Sequence, residues 1–365
     1  MQFERLTLRS LSATAVSVPM ARPLGTSAQR ISAAALLLLD LKTDEGPEGR
    51  AYAFCYQSAI ARSLLPIVAD LNVALAGVRL APVDLAHRIA RHFKLPGLAG
   101  PLTMVASSVD TAAWDALAAA AEMPLATFLG SDPQPVPAYN SNGLGLMAAE
   151  AAADEAEALL ENGFRGVKLR LGRGGGFNND LAVVRAVRHR LRDEVRLMVD
   201  FNQALTFSDA MQYCLALDGE GVYWIEEPIR HDDYRHAAMI AQAVTTPIQI
   251  GENFTGMPPM AEALAATASD YVMTDLDRIG GVTGWQRAAG LAAAYNREMS
   301  SHLFPEVSVH LLAATPTRHW LEYVDWANPI LQEPIQIKDG MAVVATRPGH
   351  GMRWDDAAVA KYRLD

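Results

Sequence analysis

Asp200, Glu226 and Glu252 each close an apolar run (RLMVD, VYWIE and TTPIQIGE), and they follow one another at a spacing of 26 residues twice over. That interval is about one strand, one helix and the loops of an α/β repeat, so it returns the chain to the same end of neighbouring parallel strands. Three carboxylates then converge on one point. Oxygen ligands without nearby Cys or His suit a hard, octahedral cation, and Mg²⁺ is the first choice because it takes few protein ligands and keeps positions for substrate and water. One strand-end acid alone is more simply a solvated loop carboxylate. Three in one phase point to a shared metal site at the C-terminal mouth of a barrel.

The same phase extends to both sides of the trio. VKLRLG brings Lys168 and Arg170 to a strand end, VMTD brings Asp275, and MSSH brings His302. Lys168 and Arg170 are two residues apart and so share one face of a strand. Two buried cations need a negative ligand or the carboxylate cluster beside them, which makes them candidates for binding an anionic substrate or, more blandly, for salt-bridging the barrel mouth. A lone His302 would pass for a core histidine. A carboxylate from the preceding strand changes that reading, because Asp275 accepting from Nδ1 fixes the tautomer and raises the basicity of Nε2, as a general base near neutral pH requires.

These groups need a scaffold, and the pattern of the chain supplies one. Alternating runs from residue 3 to about 55 suggest an antiparallel meander. Helical spacing follows at 60–75 and 82–93, and SVDTAAWDALAAAAEMP reads as a helix opening on a Ser/Asp cap. Strands followed by helices describe an α+β domain over residues 1–125. From 126 to 328 strands and helices alternate, the mark of a (β/α) TIM-type barrel, so the fold class is α/β. Residues 329–365, with short strands and Gly/Pro turns, are expected to fold back on the first domain rather than continue the barrel.

Composition narrows the function. The chain has 365 residues, half of them hydrophobic, and a formal charge of −10. With no basic stretch interleaved with aromatics, nucleic acid is not the expected partner. Cys55 and Cys214 are far apart and lack CxxC spacing, so neither a disulfide framework nor a thiolate metal site is indicated. The N-terminus reads as strand rather than leader, and AAALLLLDL stops at Asp40, short of a membrane span. A cytoplasmic enzyme is the expectation.

With those residues in place, the chain resembles the mandelate racemase subgroup of the enolase superfamily over nearly its whole length. The resemblance runs through DTAAWDALAAAAEMPLATFLG (110–130), GFRGVKLRLG (163–172), MVDFNQAL (198–205), WIEEP (224–228), GEN (251–253), DRIGGVTGW (277–285) and SSHLFPEVSVHLLAATPTRHWLE (300–322). It implies that the α+β domain is a capping lid and that Asp200, Glu226 and Glu252 hold one Mg²⁺. His302 with Asp275 would be the catalytic dyad, and Lys168 would contact the substrate carboxylate. Glu333, in LQEP, would hydrogen-bond that carboxylate, and Ser141, Asn142 and Asn202 would surround the substrate. A homo-oligomer, an octamer or smaller, is implied as well.

Two positions depart from mandelate racemase itself. Arg170 stands where that enzyme has the second lysine of a Lys-x-Lys pair, and Asn142 stands where it has a histidine. A two-base racemase needs a neutral amine at the first position, and arginine is the poorer base. The lid points the other way. Leu24, Ala28 and Ile31 match an apolar substrate-facing loop, with Phe54 and Tyr56 adding aromatic surface, although these side chains would equally serve to pack the lid. The expected activity is abstraction of the α-proton of a small α-hydroxy carboxylate, by a racemase or epimerase of the mandelate type. The alternative is an acid-sugar dehydratase with His302 as base and acid. A degraded, ligand-binding descendant would have lost metal ligands, and none is missing.

Overall fold

The computed structural model describes residues 5–172 and 176–365; Phe3 and Glu4 of the first alternating run lie outside them. Strands β1 (Leu8–Gly25), β2 (Arg30–Thr43) and β3 (Glu48–Phe54) form an antiparallel sheet in that order. Its central strand explains the AAALLLL run. Ala35, Leu37, Leu39 and Leu41 point into a core shared with helices α1 (Ser58–Leu75), α2 (Pro82–His92) and α3 (Pro101–Ala120). Ala34, Leu36 and Leu38 point the other way, into the core shared with the barrel. A strand covered on both faces is apolar throughout, as the alternation of side chains demands. α1 is long and apolar enough by composition to cross a membrane. In the fold its Ala61, Leu64, Val68, Leu71 and Leu75 form the stripe of an amphipathic helix packed into that core.

α3 begins earlier than its sequence suggests. Gly100, at φ 53°, and Pro101 start the helix, which leaves Ser108 and Asp110 in mid-helix. Neither caps the helix, and Asp110 with the neighbouring Ser107 reaches across to the barrel. Ser107 Oγ donates to the Asp277 carbonyl at 2.8 Å, and the Asp110 carboxylate accepts from the Thr283 amide at 2.8 Å and hydroxyl at 2.5 Å.

Among the described residues the barrel has eight parallel strands: β4 (Val136–Asn140), β5 (Gly166–Arg170), β6 (Arg196–Asp200), β7 (Val222–Glu226), β8 (Ile248–Ile250), β9 (Tyr271–Asp275), β10 (Glu298–His302) and β11 (Leu321–Tyr323). They pair in sequence order, β11 also pairs with β4, and the Ser301 amide closes the ring by donating to the Trp320 carbonyl at 3.0 Å. The sixth unit is irregular: a single turn, Leu276–Ile279, breaks at Gly280 before the helix Gly281–Ala294.

The C-terminal segment does two things where one was expected. It returns to the first domain, where the Leu364 amide donates to the Ala15 carbonyl and Trp354 Nε1 donates to Asp40. Its hairpin, β12 (Ile337–Lys338) and β13 (Met341–Ala342), also adds antiparallel to the start of β4. β4 meets β5 only at Asn140, so the backbone groups around Val136 and Pro137 are left for this hairpin to pair.

Candidate active site

Alternation along each strand decides what faces the barrel axis. Met198 precedes Asp200, Trp224 precedes Glu226, Trp320 precedes Glu322, and Ser300 precedes His302, each by two residues, so each strand puts a packing residue below and an ionisable one at the mouth. Asp200 and Glu226 are the last residues of β6 and β7, and Glu252 follows β8 after Gly251. Gly251 has φ 130°, and a Cβ there would lie 2.4 Å from the Met273 carbonyl oxygen, so only glycine lets the chain turn the acid inward. Ligand atoms of the three acids lie within 4.8 Å of one another, and all three residues are buried.

Such crowding has an electrostatic signature. Burial pushes the Glu226 carboxyl up to about 8, despite the ammonium of Lys168 beside it. Asp200 is raised too, by burial and by Glu252 against the pull of Lys168. Glu252 is held down instead by His302 and Arg278 against burial; a divalent cation would relieve the two carboxylates that resist ionisation, and an all-oxygen donor set suits Mg²⁺. The three acids can therefore hold one such ion.

Lys168 is 1% exposed and sits between carboxylates: Nζ is 2.7 Å from Glu226, 2.8 Å from Glu322 and 3.5 Å from Asp200. Burial alone would lower its pKa, but Glu226 and Glu322 hold it well above the ordinary lysine value. His302 Nδ1 is 2.6 Å from Asp275 Oδ2, while Asp275 Oδ1 accepts from the amides of Asp277 and Arg278. The pinned carboxylate assigns the proton to Nδ1 and aims Nε2 at the metal triad, 3.2 Å from Glu252. Burial would depress this histidine; the charges of Glu252 and Glu322 and the bond to Asp275 raise it to about 9 instead.

Arg170 is held by three acceptors. Its Nη1 donates to the Gly143 carbonyl at 2.9 Å, and Nη2 donates to the Ser141 carbonyl at 3.2 Å and hydroxyl at 2.9 Å. Ser141 Oγ in turn donates to Glu322 at 2.7 Å.

Glu333 does not reach this site. After β11 the chain makes a 3₁₀ turn at Asn328–Ile330 and leaves the mouth, so Glu333 lies on the outer surface, its side chain 70% exposed and 2.7 Å from Arg347. Glu322, at the end of the eighth strand, takes the expected place: it touches Lys168 and Ser141, accepts from the Leu303 amide at 2.9 Å, and lies 3.9 Å from His302. Lys168 and His302 hold its carboxyl well below the usual range against the effect of burial. Its signal in the sequence was its phase, two residues after Trp320, as Glu226 is after Trp224.

Above the triad is a cavity of about 190 Å³, lined by Lys168, Arg170, Asp200, Glu252, His302 and Glu322 below. Leu24, Ile31, Phe54, Tyr56, Asn202 and Trp326 stand around it, with the polar Thr26, Gln29, Gln203, Asn253 and Arg278. Ser141 and Asn142 are not among the lining residues. Ser141 is spent on Arg170 and Glu322, and Asn142 donates to Asn140 and accepts from the Asp325 amide, so both support the site from behind. The lid loop is fastened over the mouth by Ser27 Oγ, which donates to the Asn202 carbonyl at 3.1 Å. Backbone strain gathers at the same place: Asn202, Gln203, Glu227, Leu303 and Phe304, which follow three of the site-bearing strands, all have positive φ.

Comparison with known proteins agrees with this geometry. Residues 9–130 match the mandelate racemase/muconate lactonizing enzyme N-terminal domain, and residues 151–358 match the enolase C-terminal domain-like family. An enolase from the alpha proteobacterium bal199, solved with bound magnesium, superposes with a TM-score of 0.95 at 43% identity, over 98% of this chain and 100% of that one. An enolase from Bradyrhizobium, solved with magnesium and mandelic acid, gives 0.94 at 38% identity over the full length of both chains. Among curated proteins, L-talarate/galactarate dehydratase of Salmonella typhimurium is 34% identical over 263 residues, 72% of this chain and 66% of that enzyme, slightly under two thirds of its length. The chain belongs to the enolase superfamily, in the mandelate racemase/muconate lactonizing enzyme family, with the family's capping domain and barrel both present.

Proposed function

We propose that this protein is a Mg²⁺-dependent dehydratase acting on a small α,β-dihydroxy carboxylate, with His302 as its single base. One observation carries the reading: the guanidinium of Arg170 donates to three acceptors on Ser141 and Gly143. Arginine has no acceptor of its own, so a group so engaged takes no proton from a substrate. A site with one base can still complete a β-elimination.

A cation on Asp200, Glu226 and Glu252 would supply Lewis-acid stabilisation of the substrate carboxylate as its α-carbon loses a proton. The rest falls to the chain's own side chains. Lys168 donates toward the carboxylate from a position fixed by Glu226 and Glu322, so its charge is in place before negative charge develops. His302 Nε2 takes the α-proton while Asp275 holds Nδ1 and stabilises the imidazolium. The same Nε2–H then protonates the departing β-hydroxyl: the Cα–H and Cβ–O bonds break, a Cα=Cβ double bond forms, and water leaves. The resulting enol becomes a 2-keto-3-deoxy acid. Thr26, Gln29, Asn202 and Gln203 supply partners for further hydroxyls, which would otherwise cost about 1–3 kcal/mol each when buried.

A second reading, racemisation of an aromatic α-hydroxy acid, is favoured by the apolar wall of Leu24, Ile31, Phe54 and Trp326 and by the mandelic acid bound in the Bradyrhizobium relative. It requires Arg170 to leave its three acceptors and act as a second base. A symmetric homo-oligomer, an octamer or smaller, completes the proposal and is checked by sedimentation. The deciding assay is a panel of aldonic and aldaric acids with mandelate enantiomers, reading 2-keto acid by semicarbazone formation and racemisation by polarimetry. Keto acid from at least one sugar acid is expected; interconversion of mandelate with no keto acid from any sugar acid would replace the dehydratase reading with the racemase one.

A further inference from the structure

Tyr56 follows β3, at the edge of the capping domain, and has a left-handed backbone at φ 59°, unfavourable for a bulky side chain. Something must hold it there. Its ring packs on Phe54, with centroids 4.4 Å apart, and its hydroxyl accepts from Arg278 Nη2 at 2.7 Å. Arg278 belongs to the barrel, three residues beyond Asp275. The other arm of its guanidinium, Nη1, donates to the carbonyl of Glu252 at 3.2 Å and to the side-chain oxygen of Asn253, and lies 3.8 Å from the Glu252 carboxylate. Asn253 passes the contact on: its Nδ2 donates to Glu227 at 2.7 Å and to Glu252 at 3.3 Å. One planar fork therefore joins a capping-domain hydroxyl to the backbone and side chain of a metal-triad segment. A parallel tie runs beside it, from the Phe54 amide to the Asp277 carboxylate at 3.1 Å.

We propose that Arg278 is a positioning residue that couples the seating of the capping domain to the affinity of the metal site, with Tyr56 as its sensor on the lid. When Tyr56 is seated, its hydroxyl fixes one arm of the guanidinium, and the other arm fixes Glu252 in the orientation that the cation needs. When the lid lifts, the fork loses that anchor and Glu252 relaxes. Coupling of this kind is reciprocal: if lid contact tightens metal binding, metal binding must tighten the lid by the same factor. The inference rests on the acidic triad alone and holds whichever reaction the site performs.

The test uses substrate-free protein and needs no turnover. Tyr56→Phe removes only the hydroxyl and keeps the ring on Phe54. Mg²⁺ affinity is measured by calorimetry, with Mn²⁺ binding by electron spin resonance as a second probe, and Tm is measured in chelator. We expect the Kd for both ions to rise at least about fivefold in Tyr56→Phe, and likewise in Arg278→Lys, whose ammonium cannot span both partners. In the wild type, Mg²⁺ should slow hydrogen exchange at residues 54–57, and Tyr56→Phe should lose that response. A Kd within twofold of wild type in Tyr56→Phe overturns the proposal, whatever happens to Tm, since a merely structural contact would lower Tm and leave Kd unmoved. If that variant does not fold, wild-type exchange at 54–57 that ignores Mg²⁺ overturns it equally.

Discussion

The two ends of the barrel are built from the same strands and obey opposite rules. At the floor, Tyr139, Met198 and Trp224 are fully buried and pack together with Tyr223, Tyr271 and Trp320. Gly166 leaves them room: a Cβ there would lie 3.0 Å from the Tyr139 Cβ and 3.1 Å from the Met198 methyl. Two residues further along, the strands carry Lys168, Asp200, Glu226 and Glu322, equally buried but charged. The floor is complementary to itself. The mouth is complementary to something else, and its surplus of buried acid and its left-handed turns are tolerated because the packed floor and the helices over-determine the strand ends.

The sharpest way to break this contrast is to neutralise one acid at the mouth. Glu226→Gln should weaken Mg²⁺ binding by more than about 100-fold and abolish turnover, while Tm in chelator falls no lower than that of the wild type, because a crowded buried carboxylate has been removed. Calorimetry and thermal melts check both halves. A large fall in Tm would mean that the mouth also carries stability. The converse substitution is Met198→Ala at the floor, expected to cost about 2–5 kcal/mol in urea unfolding with kcat retained.

Two buried histidines extend the comparison to pH. His302 at the mouth is raised to about 9 by Glu252, Glu322 and Asp275 against burial, whereas burial lowers His319, beside the floor aromatics, to about 4. His302 thus adds stability to the metal-free protein that is fully present below its ordinary value of 6.5 and is lost as pH rises through about 9. His319 adds stability present above 6.5 that is lost as pH falls toward about 4. Unfolding free energies across pH 4–10 in chelator should fall on both sides, with His302→Asn flattening the alkaline limb and His319→Gln the acid one. Mg²⁺ should also lower the His302 midpoint, followed by imidazole NMR, because the cation draws on the charge of Glu252. The smallest effect is expected where the layers touch. Trp224 Nε1 donates to Glu226 at 3.1 Å, so Trp224→Phe should weaken metal binding only severalfold, within the span of outer hydrogen bonds to metal ligands.

What the sequence disclosed follows the same division. Residues whose place depends on strand phase were legible: equal spacing was enough to bring Asp200, Glu226 and Glu252 together, and a one-strand offset was enough to join His302 to Asp275. Glu322 obeys the same phase, but its strand is short and shows only alternation, whereas Glu333, in LQEP, presents a motif that resembles the family's without sharing the strand phase. Contacts between domains left no periodic trace. Ser108 and Asp110 look like a helix cap, yet Asp110 and the neighbouring Ser107 tether the helix to the barrel, and the link from Tyr56 through Arg278 to Glu252 joins residues whose nearness no local pattern encodes. Arg170 was visible as a departure from Lys-x-Lys, but its engagement by Ser141 and Gly143 needed the fold.

We propose that the mouth holds one base, His302, with Arg170 as a fixed donor. Stereochemically resolved α-proton exchange in D₂O tests it most directly, on matched enantiomers of mandelate and on sugar acids epimeric at C2, with the wild type and with His302→Asn. Deuterium should enter only one member of each pair, and none at all with His302→Asn. Exchange into both members at neutral pH, or exchange that survives the loss of His302, would contradict it.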